Sequence, residues 1–298
     1  KTSLDEILEV VKGPDFPTAA FALVGKDREQ VKDAYIDGRG KVTLQARTTI
    51  EESSKGQVQL IISELPYQVN KSVLIEKIAD LVRSKKIEGI ADIRDESDRN
   101  GMRMVLDLKR EGSIAQIRNL LYKHTRLRST FPINMMVLVD GAPRRVGLKT
   151  ALEHFLDHRR VVIKRRTQFQ LDQAKDREHI VQGLLLAIDL LDQVIATIRG
   201  SDSANAALAT LQEQPFEFSE LQARAILDMQ LRRLAALERQ NLQEEHRELV
   251  DNIAYLEGLL EDRKKIDFLI RDDLDELDED YGDDRRTEIL EAAAETFS

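Results

Sequence analysis

Two histidines have the spacing of metal ligands. His154 and His158 lie four residues apart, a separation that places two imidazoles on the same face of a helix. Their neighbours in the sequence are basic, and no third ligand is evident. We therefore expect no zinc site at this pair.

Three carboxylates form a second candidate metal site. Asp95, Glu96 and Asp98 are close enough in the sequence to hold Mg²⁺. The alternative is salt bridging to the neighbouring arginines, which are Arg94, Arg99 and Arg103. Salt bridging is the favoured interpretation, and no metal site is predicted.

The sequence argues against several other classes of chemistry. Cysteine is absent, so there is no disulfide, thiolate metal site or cysteine nucleophile, which fits a reducing, cytoplasmic compartment. The Gly38-Arg39-Gly40 segment lacks the third glycine and following helix of a dinucleotide site, and no phosphate loop occurs. We expect no cofactor on this chain. No apolar run reaches the roughly 18 residues of a membrane span, so no membrane association is expected.

Basic residues are concentrated in one part of the chain. The net charge of -9 is local in origin, because residues 241–298 hold 7 Lys and Arg against 20 Asp and Glu. The densest basic stretch covers residues 144–166. It is either a phosphate-facing patch or a solvated helix face. Cations just upstream extend this stretch, and the sequence predicts DNA-backbone contacts at Lys123, Arg126, Arg128, Arg144, Arg145, Arg159, Arg160, Lys164, Arg165 and Arg166.

The first part of the chain, residues 1–146, is predicted to be a mixed α/β domain. Ser3 and Glu6 form a capping box for a first helix, Asn70 can cap another, and Ser113 with Gln116 opens a third. Alternation from Val42 to Ile50 predicts one strand paired with residues 58–63, and Asn100-Gly101 predicts a tight turn between two further strands. The apolar run at residues 133–139 predicts a last, fully buried strand.

The second part is predicted to contain one long helix and a second long helix that returns antiparallel to it. A single helix over about residues 148–198 would be roughly 75 Å long. Apolar residues at coiled-coil spacing predict an outgoing helix at 147–200, a helical head at 201–240, a returning helix at 241–281 and a tail at 282–298. The fold class is therefore α+β, with a coiled-coil arm that carries a small all-α head.

The head is small for an independent core. Ser219 and Gln222 form a capping box ahead of its most apolar helix. Either its apolar residues make an intramolecular core, or a second copy of the head covers them. We favour a homodimer with an interface at Ile226, Met229, Leu231, Leu234 and Leu237.

An ordered series of segments resembles the A subunits of bacterial type IIA topoisomerases. The segments lie at residues 13–18 (GPDFPT), 64–71 (ELPYQVNK), 87–90 with 94–98, 119–123, 133–135, 226–239 (ILDMQLRRLAALER) and 282–289 (GDDRRTEI). The last two look more like the gyrase branch than the topoisomerase IV branch, which remains an alternative. From a different class, the chain could be a coiled-coil dimerisation scaffold without a nucleic-acid role.

The resemblance implies that the two parts have different roles. Residues 1–146 would be the tower that supports DNA, and the arm and head would form the exit gate where two A subunits meet. The family's cleaving tyrosine lies on a winged-helix domain expected upstream of Lys1, so no catalytic residue and no cleavage activity are expected here. The whole enzyme would be an ATP-dependent A2B2 complex with the B subunit, using Mg²⁺ and ATP to cut, pass and reseal duplex DNA.

Overall fold

The computed structural model describes residues 2–25, 28–53, 56–110, 113–229 and 236–291, with the side chains of 236–238 left out. The chain divides into two compact units, Lys1–Phe155 with Gly282–Ser298, and Leu156–Tyr281. The fold combines helices and strands, which confirms the predicted α+β class. The elements of the first unit are α1 (Leu4–Val10), β1 (Phe21–Leu23), α2 (Glu29–Asp37), β2 (Arg39–Gln45), β3 (Arg47–Glu52), β4 (Val58–Glu64), α3 (Lys71–Arg83), β5 (Ile90–Asp95), β6 (Met104–Leu108), α4 (Ile114–His124), β7 (Arg128–Asn134), β8 (Met136–Val139), β9 (Ala142–Arg145) and β10 (Glu288–Leu290).

One sheet of the first unit has the order β10-β1-β2-β7. Helix α1 begins with the predicted capping box, in which the Ser3 hydroxyl accepts from the Glu6 N–H and the Glu6 carboxylate accepts from the Ser3 N–H. This box satisfies N–H groups that have no partner inside the helix. The core beside the sheet draws on α1, α2 and β2, through Leu8, Val31 and Leu44.

The second sheet has the order β3-β4-β6-β5. The Asn70 side chain caps α3 by accepting from the Val73 N–H at 3.1 Å, as predicted. Leu74 and Ile78 on α3 and Leu121 on α4 are almost fully buried in one core with residues of β4 and β6. The sheet and two helices therefore make a core of their own.

The predicted strand over residues 42–50 is wrong as a single element. It divides at Ala46, where β2 ends in one sheet and β3 begins in the other. Ala46 is fully buried, and its N–H donates to the Leu127 carbonyl at 2.7 Å. Apolar and polar residues continue to alternate on both sides of Ala46. Such alternation reflects extended backbone, in which side chains point to opposite faces in turn, and it does not show which strand is the pairing partner.

The predicted buried strand at residues 133–139 is also wrong. Strand β7 ends at Asn134, and β8 pairs with β9 in a separate two-stranded ribbon. The side chains of Met136 and Leu138 on β8 are 51% and 75% exposed. A short apolar run does not by itself specify two covered faces, since burial depends on what packs against the strand.

The segment predicted as a tail, residues 282–298, is instead part of the first unit in its described portion. Strand β10 lies parallel to β1 at the edge of the sheet. Thr287 is fully buried, and its hydroxyl accepts a hydrogen bond from the Phe16 N–H at 2.8 Å. The Arg285 guanidinium donates to the carbonyls of Gly13 and Pro14. The C-terminal segment therefore adds an edge strand to the sheet that contains β1.

The second unit contains most of α5 (Leu148–Asp189) and all of α6 (Leu191–Gly200), α7 (Ala204–Gln212), α8 (Glu220–Asp228), α9 (Ala236–Glu261) and α10 (Arg263–Tyr281). The single outgoing helix predicted over 148–198 is wrong in its last part. The chain bends by 92° between α5 and α6, because the distal apolar residues turn into the head. Leu184, Leu190, Val194 and Ile198 pack in the head core.

The returning helices run antiparallel to α5. Ion pairs join Arg160 to Asp267, Lys175 to Glu257 and Arg177 to Glu245. The residue numbers of the partners decrease as those on α5 increase, as expected for antiparallel helices. Ile163 is fully buried against Ile266 and Ile270. This arrangement is the predicted antiparallel arm, with the return divided into two helices at Asp262.

The head is built from α6, α7 and α8. Its core is small and contains Leu211, Phe216, Phe218 and Ile226. The predicted capping box of α8 is present, with the Ser219 hydroxyl and the Gln222 side chain each bonded to the other's backbone. Within the described ranges, no single helix has the length and hydrophobicity to cross a membrane, and only the strongly bent pair α5 and α6 passes when taken together.

Candidate nucleic-acid interface

The end of α4 carries the first group of predicted DNA-binding residues. Thr125 ends the helix and is buried; its hydroxyl donates to the Leu121 carbonyl at 2.7 Å and accepts from the Leu127 N–H at 3.1 Å. These bonds fix the loop that follows the helix. Lys123 and Arg126, on either side of Thr125, are both exposed. Neither forms an ion pair with a described residue, so their charges face solvent.

Arg128 is held differently from its neighbours. Its guanidinium lies 5.0 Å from the centre of the Tyr122 ring and donates to the Gln45 side-chain oxygen at 2.9 and 2.7 Å. Burial lowers the pKa of Arg128, although an arginine remains protonated near neutral pH. Its contacts with the aromatic ring and the amide orient the guanidinium group.

The β8–β9 ribbon presents the second group. Arg144 and Arg145 lie on β9 and are exposed, and they oppose Val137 and Met136 on β8. Neither arginine forms an ion pair with a described residue. The ribbon therefore presents two exposed cations beside apolar side chains.

The basic residues of α5 in the second unit divide into two sets. Arg159 pairs with Asp273 at 2.7 Å, and Arg160 pairs with Asp267 at 2.6 Å and with Asp157 at 2.7 Å. These ion pairs raise the pKa of Arg160 and hold α5 to α10. In contrast, Lys164, Arg165 and Arg166 are exposed and form no ion pair with any described residue.

The two sets differ in what they can offer an anion. Arg159 and Arg160 already have carboxylate partners, and a phosphate would have to compete with them. Lys164, Arg165 and Arg166 have no such competitor among the described residues, so they are the better phosphate ligands on this helix. The sequence did not separate the sets, because the partners on α10, Asp267 and Asp273, are more than 100 positions away from Arg160 and Arg159.

The structure adds one cation that the sequence analysis did not select. Lys77 on α3 borders the same cavity as Lys123 and Arg126. Its position in the sequence, on the polar face of an amphipathic helix, gives no indication of a ligand. Only the packing of α3 beside the end of α4 brings the three cations together.

The residues predicted for the dimer interface have different surroundings. Ile226 is only 3% exposed and packs inside the head of its own chain. Met229 is half-buried and ends α8. Leu231 and Leu234 lie outside the described residues, as does the side chain of Leu237. A further apolar residue of α8, Leu221, is 57% exposed and was not predicted.

The candidate acidic metal site is a set of ion pairs. Asp95 binds the Lys71 ammonium at 2.6 Å, and Glu96 binds Arg94 and Arg103 at 3.2 and 3.3 Å. The Lys71 ammonium and the Ser97 hydroxyl lower the pKa of Asp95 to about 2. The favoured alternative of salt bridging is confirmed at Arg94 and Arg103. In the part of the chain that the structure describes, no group of three or more His, Asp or Glu residues could hold a metal ion.

Comparison with known proteins gives a consistent result. The family model that describes the A subunit of DNA gyrase/topoisomerase IV matches residues 1–275. The chain is 46% identical over 288 residues to the DNA gyrase A subunit of Staphylococcus aureus strain NCTC 8325 / PS 47, and equally to that of strain COL. The matched region is 96% of this chain and 32% of those relatives, so the chain spans about a third of their length.

Proposed function

The chain belongs to the family of DNA gyrase and topoisomerase IV A subunits, and from that premise we propose that it is the DNA-supporting and dimer-forming part of a gyrase A subunit. The whole enzyme would be an ATP-hydrolysing type IIA topoisomerase that cuts, passes and reseals duplex DNA. Its homodimer would join through the head and form an A2B2 assembly with the B subunit, which would supply the use of ATP and Mg²⁺. Topoisomerase IV remains the alternative, and the gyrase names of the matched relatives favour gyrase.

The observation that carries this proposal is the set of exposed cations without ion-pair partners among the described residues. They occur in both units, at Lys123 and Arg126, at Arg144 and Arg145, and at residues 164–166. Contacts between such cations and DNA phosphates are independent of base sequence and position a duplex without reading it. A protein that must support any segment of a chromosome needs binding of this kind.

The arm and head have properties suited to a gate. The described head core contains few large apolar side chains, which makes the head small for independent stability. Self-association would bury its remaining exposed apolar surface, including Leu221. A head of this kind could hold two copies of the chain together and separate again, because its interface would be modest in area.

DNA binding is tested by salt titration with two matched double variants. Binding of a fluorescein-labelled 20-bp duplex is followed by anisotropy from about 50 to 200 mM salt. Arg165→Gln with Arg166→Gln should reduce the slope of log K against log salt by up to about 1.8, at about 0.9 for each phosphate that is no longer neutralised. Arg159→Gln with Arg160→Gln removes the same charge from paired positions and should change the slope much less.

Two results would count against the proposal. Absence of salt-dependent binding by the unaltered chain would remove the DNA-supporting role. An equal effect of the two double variants would show that the ion pairs of Arg159 and Arg160 do not decide which cations bind phosphate. Circular dichroism of each variant shows whether the arm is intact.

Dimer formation is tested by light scattering of the purified chain at micromolar concentration. We expect a mass twice that of the 34.0 kDa chain. Met229→Glu places a charge on the half-buried end of α8 and should shift the population towards monomer. A mass of 34.0 kDa for the unaltered chain at every concentration up to the solubility limit would contradict self-association of the head.

A further inference from the structure

A cavity of about 440 Å³ lies in the first unit between α3 and the loop after α4. Its volume is within the range of small-ligand sites. Two of the segments that carry the family resemblance meet here, since residues 64–71 contribute Val69 and residues 119–123 contribute Lys123. The side chains that matter for recognition are Val69, Val73, Leu74, Lys77, Lys123 and Arg126.

The charges around the cavity are of one sign. Of the described residues that line it, none is acidic, and Lys77, Lys123 and Arg126 form no ion pair with a described residue. On α3, Asp80 binds Arg83 at 2.6 Å, and Lys71 binds Asp95 at the same distance. Glu76 is exposed beside Lys77 on α3 but does not line the cavity. Three cations therefore face one space with no acidic group among its described lining residues.

Part of the cavity lining is apolar. Leu74 is buried in the core, whereas Val73 is 60% exposed although it is a large apolar residue. The Asn70 amide oxygen is occupied by the N–H of Val73, so it offers less to a ligand. A lining that combines apolar side chains with three cations suits an anion that carries an apolar body.

A nucleotide unit has this combination of properties. Its phosphate is a strong acceptor of charge-assisted hydrogen bonds, and lysine and arginine are its usual partners. The carbon edge of its sugar, or its base, can lie against valine and leucine. A carboxylate on a short aliphatic chain would use fewer of the three cations.

We propose that this cavity binds a nucleotide unit, with the phosphate held by Lys77, Lys123 and Arg126 and the sugar or base against Val73. The source is either a strand of duplex DNA or a free nucleoside phosphate. The first source rests on the proposed function, and the second does not. Lys77 becomes a DNA-positioning residue if the source is DNA.

The experiment compares three charge variants of the full chain, Lys77→Gln, Lys123→Gln and the double variant. Lys85→Gln is the control, since Lys85 is exposed in the same unit but does not line the cavity. All three lysines are exposed, so the variants should fold, and circular dichroism verifies this. Binding is measured with the labelled 20-bp duplex by anisotropy, and with AMP and inorganic phosphate by calorimetry.

Each single variant should weaken binding of the ligand that the cavity takes by about 3- to 10-fold, while Lys85→Gln leaves it unchanged. For the duplex, the double variant should reduce the salt slope by at most about 0.9, because Arg126 still contacts the shared phosphate, and a reduction of about 1.8 would overturn the assignment of both lysines to one phosphate. Val73→Asp, which adds a carboxylate to the cavity lining, should also weaken binding. Weakened binding of AMP identifies a free nucleotide, and weakened binding of the duplex alone identifies the backbone.

The outcomes separate this site from the proposed function. If the duplex binds but neither lysine variant differs from Lys85→Gln for any probe, the cavity proposal is overturned and the DNA role stands. If AMP binds through both lysines and the duplex does not bind, the cavity stands and the DNA role falls. Failure of the unaltered chain to bind all three probes overturns both. Binding of AMP and of the duplex that is unaffected by Val73→Asp would also overturn the cavity proposal, because Val73 would then not contact the ligand.

Discussion

Replacement of Thr287 tests whether the returning chain is fixed to the first unit by buried hydrogen bonds. The Thr287 side chain is fully buried, and its hydroxyl accepts from the Phe16 N–H at 2.8 Å and donates to the Ala19 carbonyl at 3.2 Å. Thr287→Val keeps the shape and removes both bonds. Thr287→Ser keeps the hydroxyl and removes one methyl group.

Thr287→Val should destabilise the first unit more than Thr287→Ser does. A buried N–H that loses its acceptor costs about 1–3 kcal/mol, and we expect about 2 kcal/mol for Thr287→Val. Loss of one buried methyl group costs about 1 kcal/mol, which is the expected effect of Thr287→Ser. The variant that retains the apolar volume should therefore be the less stable.

Hydrogen exchange with mass spectrometry measures this effect locally, so it does not require the two units to unfold together. With a tenfold change for each 1.4 kcal/mol, protection of residues 13–24 and 282–291 should fall by about 30-fold in Thr287→Val and about 5-fold in Thr287→Ser. The peptide covering β4 (Val58–Glu64), in the other sheet, serves as the internal control. Equal protection in the two variants, or a larger loss in Thr287→Ser, would refute the argument that hydrogen bonds hold β10 in place.

Two further predictions concern the head and the acidic cluster. A Cβ atom at Gly183 would lie 2.5 Å from Cγ of Gln222, whose side chain is buried and donates to the His179 carbonyl at 2.8 Å. Gly183→Ala should therefore destabilise the second unit by about 1–3 kcal/mol despite its better helix propensity. Gly200→Ala, with nothing within 4 Å, should be neutral or stabilising; a melting temperature of Gly183→Ala at or above that of the unaltered chain would contradict the packing argument. The pKa of Asp95 is lowered to about 2, so its contribution to stability is present above the unfolded-state pKa of about 3.9 and is lost as the pH falls towards 2. Acid titration of unfolding should show a shallower loss between pH 4 and 2 in Asp95→Asn than in the unaltered chain, and identical profiles would show that the Lys71 ion pair does not contribute.

The sequence determined the parts of this protein that depend on local chemistry. The capping boxes at Ser3 and Ser219 and the Asn70 cap are confirmed, because a cap is made by a side chain and a backbone N–H only two or three residues away. The capping box predicted at Ser113 is wrong, since Ser113 precedes α4 but makes no side-chain cap bond. The antiparallel arm followed from apolar spacing within each helix. The family followed from the order of short segments along the chain and is confirmed by the match over residues 1–275.

Tertiary structure alone decided which residues become neighbours across long separations. Ala46 divides what alternation presents as one strand, Thr287 joins the first sheet 271 positions from Phe16, and the arm bends where its apolar residues turn into the head. The same reason applies to the candidate interface. Arg160 and Arg165 are both arginines of one basic stretch, but only Arg160 faces a carboxylate from the returning helix among the residues that the structure describes. A charge acts on the groups within a few ångströms of it, and the sequence does not give those distances.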